Sequence, residues 1–336
     1  MSTVAPRISR AAPPLGRLAR TAPRVTSACG LTTRVAGAVT SRQIPRNELT
    51  RRSFHSTATR ASKQGTIQNS PKVLPEFSLE DKVIVVSGGA QGLGLVQAEA
   101  LLEAGARVHV YDRQPEPGSG SSYQRVARRA KEELGTSLTY HQIDVLEGAH
   151  KLKEITKGVF EKEGHIDGLI AAAGVQQETP ALDYTAEDSN RMLGINVTGV
   201  LMTAQAVAKY MYENDTPGSI VLIASMSGTV ANRGLICPVY NASKAAVIQL
   251  GRNLAMEWGI KNIRVNTISP GYIVTEMVQK LFEKFPDRAV EWPKQNMLNR
   301  LSKPEDYRGA AVFLLSDASR FMTGADLRID GGHAAW

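Results

Sequence analysis

The chain has 336 residues, with 40 basic and 32 acidic side chains, a net charge of +8 and two cysteines. That length exceeds what one core of about 150 residues needs and suits a single large α/β domain with an appendage. Residues 1–61 hold eleven Arg, no Lys and one acid, Glu48, so the rest of the chain has 29 basic and 31 acidic residues; the positive charge belongs to the leader, which excludes a basic nucleic-acid or anionic-membrane surface on the body.

An Arg-, Ser- and Thr-rich, acid-poor N-terminus has the composition of a mitochondrial transit peptide. Residues 1–61 are therefore expected to be a removable presequence, ending near RRSFHSTATRAS (51–62), and the protein to reside in the mitochondrial matrix. The alternative is a basic tail on a cytosolic protein. Arg24 and Arg34 interrupt any secretory core, and residues 62–75 read as a linker ahead of a catalytic domain over 76–336. With Cys29 in the leader and Cys237 in the body, no internal disulfide is expected in the mature chain. Cys237 reads as a small packed side chain, and no Cys/His cluster has metal-ligand spacing. The uncharged stretch 192–208 contains Asn196, Thr198, Thr203 and Gln205 and is too short and polar to span a bilayer.

From about residue 76, short β-branched runs alternate with longer helical patterns. This predicts a Rossmann-type, doubly wound, seven-stranded parallel sheet with helices on both faces, in one domain. The first strand, KVIVVS (82–87), runs into Gly88-Gly89-Ala90-Gln91-Gly92-Leu93-Gly94 and a helix ending near Gly105. Glycines at 88, 92 and 94 allow a tight turn and let a pyrophosphate approach the helix N-terminus. The second strand, RVHVY (107–111), leads to Asp112, whose carboxylate can bind the adenosine ribose hydroxyls and repel a 2′-phosphate, favouring NAD over NADP. Arg113 is adjacent and suited to a 2′-phosphate, which leaves NADP use open. A polar loop (113–122) precedes the third strand, SLTYHQ (137–142), and the fourth is IDGLIAA (166–172), followed by Gln176 and Gln177, which either touch substrate or face solvent.

The fifth strand, SIVLIAS (219–225), ends at Ser225. Ligands of such sheets bind at the carboxyl ends of the strands. Tyr240 and Lys244 follow, four residues apart, so a helix places them on one face. Tyrosine ionises near about 10 and lysine near about 10.4 in water, and a fixed ammonium that stabilises the phenolate brings the tyrosine toward working pH. The sixth strand is IRVNTIS (263–269) and the seventh DLRID (326–330). Between them, Thr275 to about Arg300 reads as a mobile lid, whose Phe282, Phe285 and Trp292 either face substrate or pack the lid down.

Over about 76–336 these residues resemble the short-chain dehydrogenase/reductase family. The turn matches its Thr/Ser-Gly-x-x-x-Gly-x-Gly signature, and Tyr240-x-x-x-Lys244 its catalytic pair. The resemblance implies NAD(P)-dependent, reversible oxidation of a secondary alcohol to a ketone. It implies that Tyr240 exchanges a proton with the substrate oxygen, that Lys244 lowers its pKa and binds the nicotinamide ribose, and that Asn196 supports a water relay. Asp144-Val145 resembles the pair that contacts adenine, and Pro270–Thr275 the segment whose backbone and threonine hold the nicotinamide amide, so Ile273 and Thr275 join the cofactor set. For the serine that hydrogen-bonds the substrate oxygen, Ser225 stands 15 residues before Tyr240 and Ser227 stands 13 before; Ser225 is preferred because it ends its strand. Where the family has Asn-Asn-Ala-Gly after its fourth strand, this chain has Ala171-Ala172-Ala173-Gly174.

Ala224–Gly228, Tyr240–Lys244, Asn262–Asn266 and the ending Asp330-Gly331-Gly332 are similar to the fungal polyol branch of the family, which includes D-arabinitol 2-dehydrogenase, mannitol and sorbose dehydrogenases and L-xylulose reductase. That implies a polyol/ketose substrate such as D-arabinitol/D-ribulose. The loop Asn232–Pro238 departs from the branch, with apolar residues where sugar hydroxyl partners are usual. The alternatives are a 3-oxoacyl thioester reductase of mitochondrial lipid synthesis and a mitochondrial scaffold with vestigial activity. Helices containing 190–212 and 240–258 have long apolar faces of the kind that the family pairs between subunits, so a homotetramer is expected, with a small molecule rather than nucleic acid or membrane as partner.

Overall fold

A computed structural model describes residues 74–336, so the presequence expected over 1–61 and most of the linker expected over 62–75 lie outside the described residues. Seven parallel strands form one sheet in the order β3-β2-β1-β4-β5-β6-β7. They are β1 (Val83–Ser87), β2 (Arg107–Asp112), β3 (Leu138–Gln142), β4 (Gly168–Ala171), β5 (Gly218–Ile223), β6 (Ile263–Pro270) and β7 (Asp326–Ile329). The fold is the expected Rossmann-type single domain.

Strand side chains alternate between two covered faces, which is why the strands read as apolar almost throughout. Val83 and Val85 of β1 pack with Leu152 and Val159 of α3 (Ala149–Glu163), Ala204 and Val207 of α5 (Val200–Glu213), and Val247 of α6 (Pro238–Trp258). Ile84 and Val86 point the other way. They pack with Leu95 and Leu101 of α1 (Gly92–Glu103), Val126 of α2 (Ser122–Glu132) and Leu314 of α9 (Arg308–Leu315). α2 starts where Ser121 accepts the Gln124 N–H at 3.2 Å. α6 starts on Pro238, whose missing N–H costs nothing in a first turn.

After β1 the chain builds β2 and β3 on one side, then crosses to β4 on the other. The crevice at the carboxyl end of β1 is therefore the topological switch point, where such sheets bind ligands.

Three local readings are corrected. β5 stops at Ile223, so Ser225 lies two residues beyond the strand, capping the 3₁₀ turn Met226–Gly228. The helical stretch around 190–212 is two helices, α4 (Ala186–Leu193) and α5, joined by a π-helical turn over Gly194–Gly199 that contains Asn196. The lid is two helices, α7 (Glu276–Lys284) and α8 (Pro286–Lys294), broken at Phe285 because the residue before a proline is driven out of helical geometry.

Candidate active site

Backbone geometry dictates the glycine turn. Gly88 has φ +67°, and a Cβ there would lie 2.8 Å from both Cα and N of Ala173. A Cβ at Gly94 would meet the Gly88 carbonyl, whereas Gly92, at φ +55°, faces open space. Gln91 gives α1 no side-chain cap, so the first amides of the helix are free for an anion. Leu93 is half-buried against the second core face. The same contact explains the family departure at Ala171–Gly174. Small residues let β4 approach Gly88, and the Ala172 and Ala173 amides donate to the Ser87 carbonyl and hydroxyl at 3.1 and 3.4 Å.

Asp112 ends β2 beside this turn. One carboxylate oxygen accepts the Ala90 N–H at 3.2 Å and the other the Gln114 N–H at 3.4 Å, so the carboxylate is held at the mouth of the crevice, while Arg113 points to solvent. Asp144 accepts the Leu146 N–H at 2.9 Å, and Val145 lies where a Cβ on Gly199 would go, against the π turn. A cavity of about 420 Å³ joins Gly92, Leu95 and Val96 of α1 to Val274, Thr275 and Gln279. Thr275 caps α7, accepting the Val278 N–H at 3.4 Å, and Ile273 bridges in parallel to Ser302. Open space at Gly92, free amides on α1 and a cavity running to Thr275 fit a dinucleotide.

The proton-transfer residues converge beyond the end of β5. Lys244 is buried and donates to the Ile223 carbonyl at 2.8 Å, with Nζ 5.7 Å from the centre of the Tyr240 ring. Burial brings its pKa down to about 8. Tyr240 goes the other way. Burial pushes it up to about 12, against the pull of the Ser225 hydroxyl. Desolvation thus sets the net direction for both groups in the cofactor-free site, because burial opposes their charged forms and the ammonium is engaged with a carbonyl. It is Ser225 whose hydroxyl reaches the phenol; Ser227 donates its backbone N–H to Ser225 Oγ at 3.1 Å. Asn196 is fully buried, with Oδ1 accepting the Val175 N–H and Nδ2 donating to the Val175 carbonyl, both at 2.9 Å, and to Ser243 Oγ at 3.0 Å. A Cβ on Gly174 would sit 3.4 Å from Asn196 Oδ1 and 3.6 Å from Lys244 Nζ, so these two groups flank one point.

Sequence reasoning did not find the wall beside Tyr240. Met226, Leu235, Cys237, Tyr272 and Trp292 form a third apolar cluster, against which Tyr240 and Phe282 pack. Trp292 stacks on Tyr272 at 4.3 Å and takes the edge of Phe282 at 5.7 Å. Phe285 is partly exposed under the Arg288 guanidinium, which also forms a two-pronged ion pair with Glu178 at 2.6 and 2.8 Å. The lid aromatics therefore pack it down. Gln177 is engaged by Arg191 and Thr179, and Gln176 lies beside the Cys237 thiol. The thiol is pushed up to about 11 by burial, as an inert packed side chain would be. The heptad of pre-tyrosine residues from Asn232 carried a usable signal in its Leu235, Ile236 and Cys237, but the partners lie on distant elements. Among the described residues no group of three or more His, Cys, Asp or Glu is gathered to hold a metal ion, and no helix is long and apolar enough to cross a membrane.

Comparison with known proteins agrees with this geometry. A family model described as "Enoyl-(Acyl carrier protein) reductase" matches residues 88–334. A protein of Aspergillus versicolor named "Short chain dehydrogenases/reductase notP'" is 38% identical over 84% of this chain and 97% of its own length. D-arabinitol 2-dehydrogenase [ribulose-forming] of Candida tropicalis is 34% identical, over 79% and 96%. The crystal structure of a gluconate 5-dehydrogenase from Burkholderia cenocepacia, in complex with NADP and tartrate, is 30% identical, covers 78% of this chain and 98% of its own, and superposes with a TM-score of 0.69. The chain belongs to the short-chain dehydrogenase/reductase family and is an NAD(P)-dependent alcohol dehydrogenase/reductase.

Proposed function

We propose that the protein interconverts a polyol and its ketose, of the D-arabinitol/D-ribulose kind, using NAD. The observation that carries the reading is the convergence of Ser225, Tyr240, Lys244 and Asn196 in a chain 34% identical to a D-arabinitol 2-dehydrogenase. The glycine turn and α1 would hold the pyrophosphate, Asp112 the adenosine ribose, Asp144 and Val145 the adenine, and Ile273 and Thr275 the nicotinamide amide. The bound dinucleotide supplies hydride acceptance and donation. Once ionised to the phenolate, Tyr240 would take the proton from the substrate hydroxyl at Oη, and Ser225 Oγ would hydrogen-bond the same oxygen and orient it. Lys244 Nζ, protonated near neutral pH, would favour the phenolate and bind the nicotinamide ribose. Asn196 fixes the Val175 backbone and holds the site against Ser243.

Asp112 supports NAD, because its carboxylate at the crevice mouth repels a 2′-phosphate. Exposed Tyr212 of α5 and Met256 of α6 lie on the two helices that the family pairs between subunits, which supports association into a homotetramer. The Arg-rich 1–61 supports import into the mitochondrial matrix. A second reading, reduction of a 3-oxoacyl thioester, is favoured by one feature, the apolar wall of Met226, Leu235 and Trp292, which suits an acyl chain.

The test is a panel of pentitols, hexitols, ketoses and acetoacetyl thioesters with NAD(H) and NADP(H), followed at the nicotinamide absorbance. Turnover of pentitols with NAD supports the proposal. Turnover of the thioester alone overturns it.

A further inference from the structure

Two buried polar atoms in the wall beside Tyr240 have no hydrogen-bond partner, Tyr272 Oη and Asn232 Nδ2. An orphaned buried donor or acceptor costs about 1–3 kcal/mol and calls for an explanation. The orientation of Asn232 is determined. The Val230 carbonyl accepts from Asn241 Nδ2 at 3.1 Å, and that same amide donates to Asn232 Oδ1 at 3.2 Å, which leaves Asn232 Nδ2 as a free donor. Asn241 follows Tyr240 on α6, so Asn232 is tied to the helical turn that carries the phenol.

Tyr272 stands two residues before Val274, which lines the cofactor cavity. Cys237 sits near both tyrosines, and the Asn232 amide lies close to the Tyr272 phenol without closing a hydrogen bond to it. Met226, Leu235, Trp292 and Phe282 make the apolar part of the cluster, while the His333 ring stands edge-on to Tyr272 at 5.3 Å and Arg288 and Glu178 act on its phenol from outside.

We infer that Asn232 and Tyr272 form a recognition pair for a substrate hydroxyl beyond the reacting carbon, a role that rests on the polyol reading above. The amide donates and the phenol both donates and accepts, which matches a hydroxyl that accepts one hydrogen bond and gives another. The apolar residues around them suit the C–H faces of a carbon chain. With Trp292 stacked on Tyr272, neither orphaned atom is reached by solvent. A polyol hydroxyl that takes up the two free positions must therefore displace the Trp292 stack.

The experiment compares the purified protein with Tyr272→Phe and Asn232→Leu, measuring kcat and KM with NAD for D-arabinitol and for 2-pentanol, which lacks neighbouring hydroxyls, together with NADH affinity and thermal midpoint. For D-arabinitol, kcat/KM is expected to fall about 10- to 100-fold in either variant, mainly through KM. For 2-pentanol it stays within about threefold, and NADH affinity is unchanged. Tyr272→Phe keeps the stack on Trp292 and removes an orphaned hydroxyl, so it decides the matter if Asn232→Leu folds poorly. Equal losses on both alcohols, or no loss on D-arabinitol, overturn the recognition pair while leaving the polyol reading intact. Failure of the unmodified protein on every pentitol and hexitol overturns the polyol reading and the pair with it.

Discussion

Replacing Lys244 by Met should disable the enzyme and at the same time reveal what the buried ammonium costs the fold. Burial lowers Lys244 from 10.5 to about 8. In the pH interval between those values the unfolded chain keeps the proton and the folded chain does not, so folding becomes more favourable as pH rises. A shift of that size corresponds to roughly 3 kcal/mol, at 1.36 kcal/mol per unit. The lost hydrogen bond to the Ile223 carbonyl acts in the opposite sense but does not depend on pH. The useful quantity is therefore the stability difference between the two proteins as a function of pH. Urea titrations of the cofactor-free proteins from pH 7 to 10 should show the Lys form gaining roughly 2–3 kcal/mol on the Met form across that range, with most of the change above pH 8. Other groups titrate equally in both and cancel. A flat difference would refute the buried, desolvated ammonium on which the assignment of Lys244 rests.

Asp112→Ser should weaken NADH binding about 10- to 100-fold, by loss of charged hydrogen bonds to ribose, and narrow its advantage over NADPH, as read by nicotinamide fluorescence titration; an unmodified protein that prefers NADPH would contradict the role. Gly88→Ala forces a Cβ to within 2.8 Å of the Ala173 backbone at φ +67° and should cost about 2–4 kcal/mol in denaturant melts, with NADH binding lost beyond detection. A cost below about 0.5 kcal/mol would show that the turn is not as tight as described. Burial holds His141 near about 4, and His109, bonded to it at 2.9 Å and to Glu163 at 3.1 Å, is lowered as well. Both favour the neutral form in the fold, so stability is complete above about 6.5 and is lost as pH falls toward 4. Partial solvation limits the His141 share to about 1–2 kcal/mol, which His141→Phe should remove from the acid limb of a pH–stability curve.

The parts of the molecule legible in the sequence are those in which local pattern and tertiary demand coincide. Val83–Val86 had to be apolar on both faces because helices cover both, and Gly88 and Gly94 had to lack a Cβ because Ala173 and the Gly88 carbonyl occupy that space. Asp112 was readable because its partner, Ala90, lies on the same βαβ unit. What escaped depends on distant neighbours or on backbone departures that periodicity does not register. Residues GINVTG continue an apolar helical pattern, yet adopt the π turn that turns the Asn196 amide onto Val175 and Ser243. Tyr272, Trp292 and Met226 meet only because α8 folds back over the end of β6. His109 reads as an ordinary strand residue until Glu163, at the end of α3, is brought beneath it. Helical spacing likewise reports the nearness of Lys244 to Tyr240 but not the desolvation of both groups.

Tyr240→Phe bears most directly on the central claim. With D-arabinitol and NAD in excess, the unmodified protein should reduce NAD at a readily measured rate. The Phe variant should bind NADH as before and turn over at least about 100-fold more slowly, because the group that accepts the substrate proton is gone. Turnover by the Phe variant within a few-fold of the unmodified protein would contradict the account.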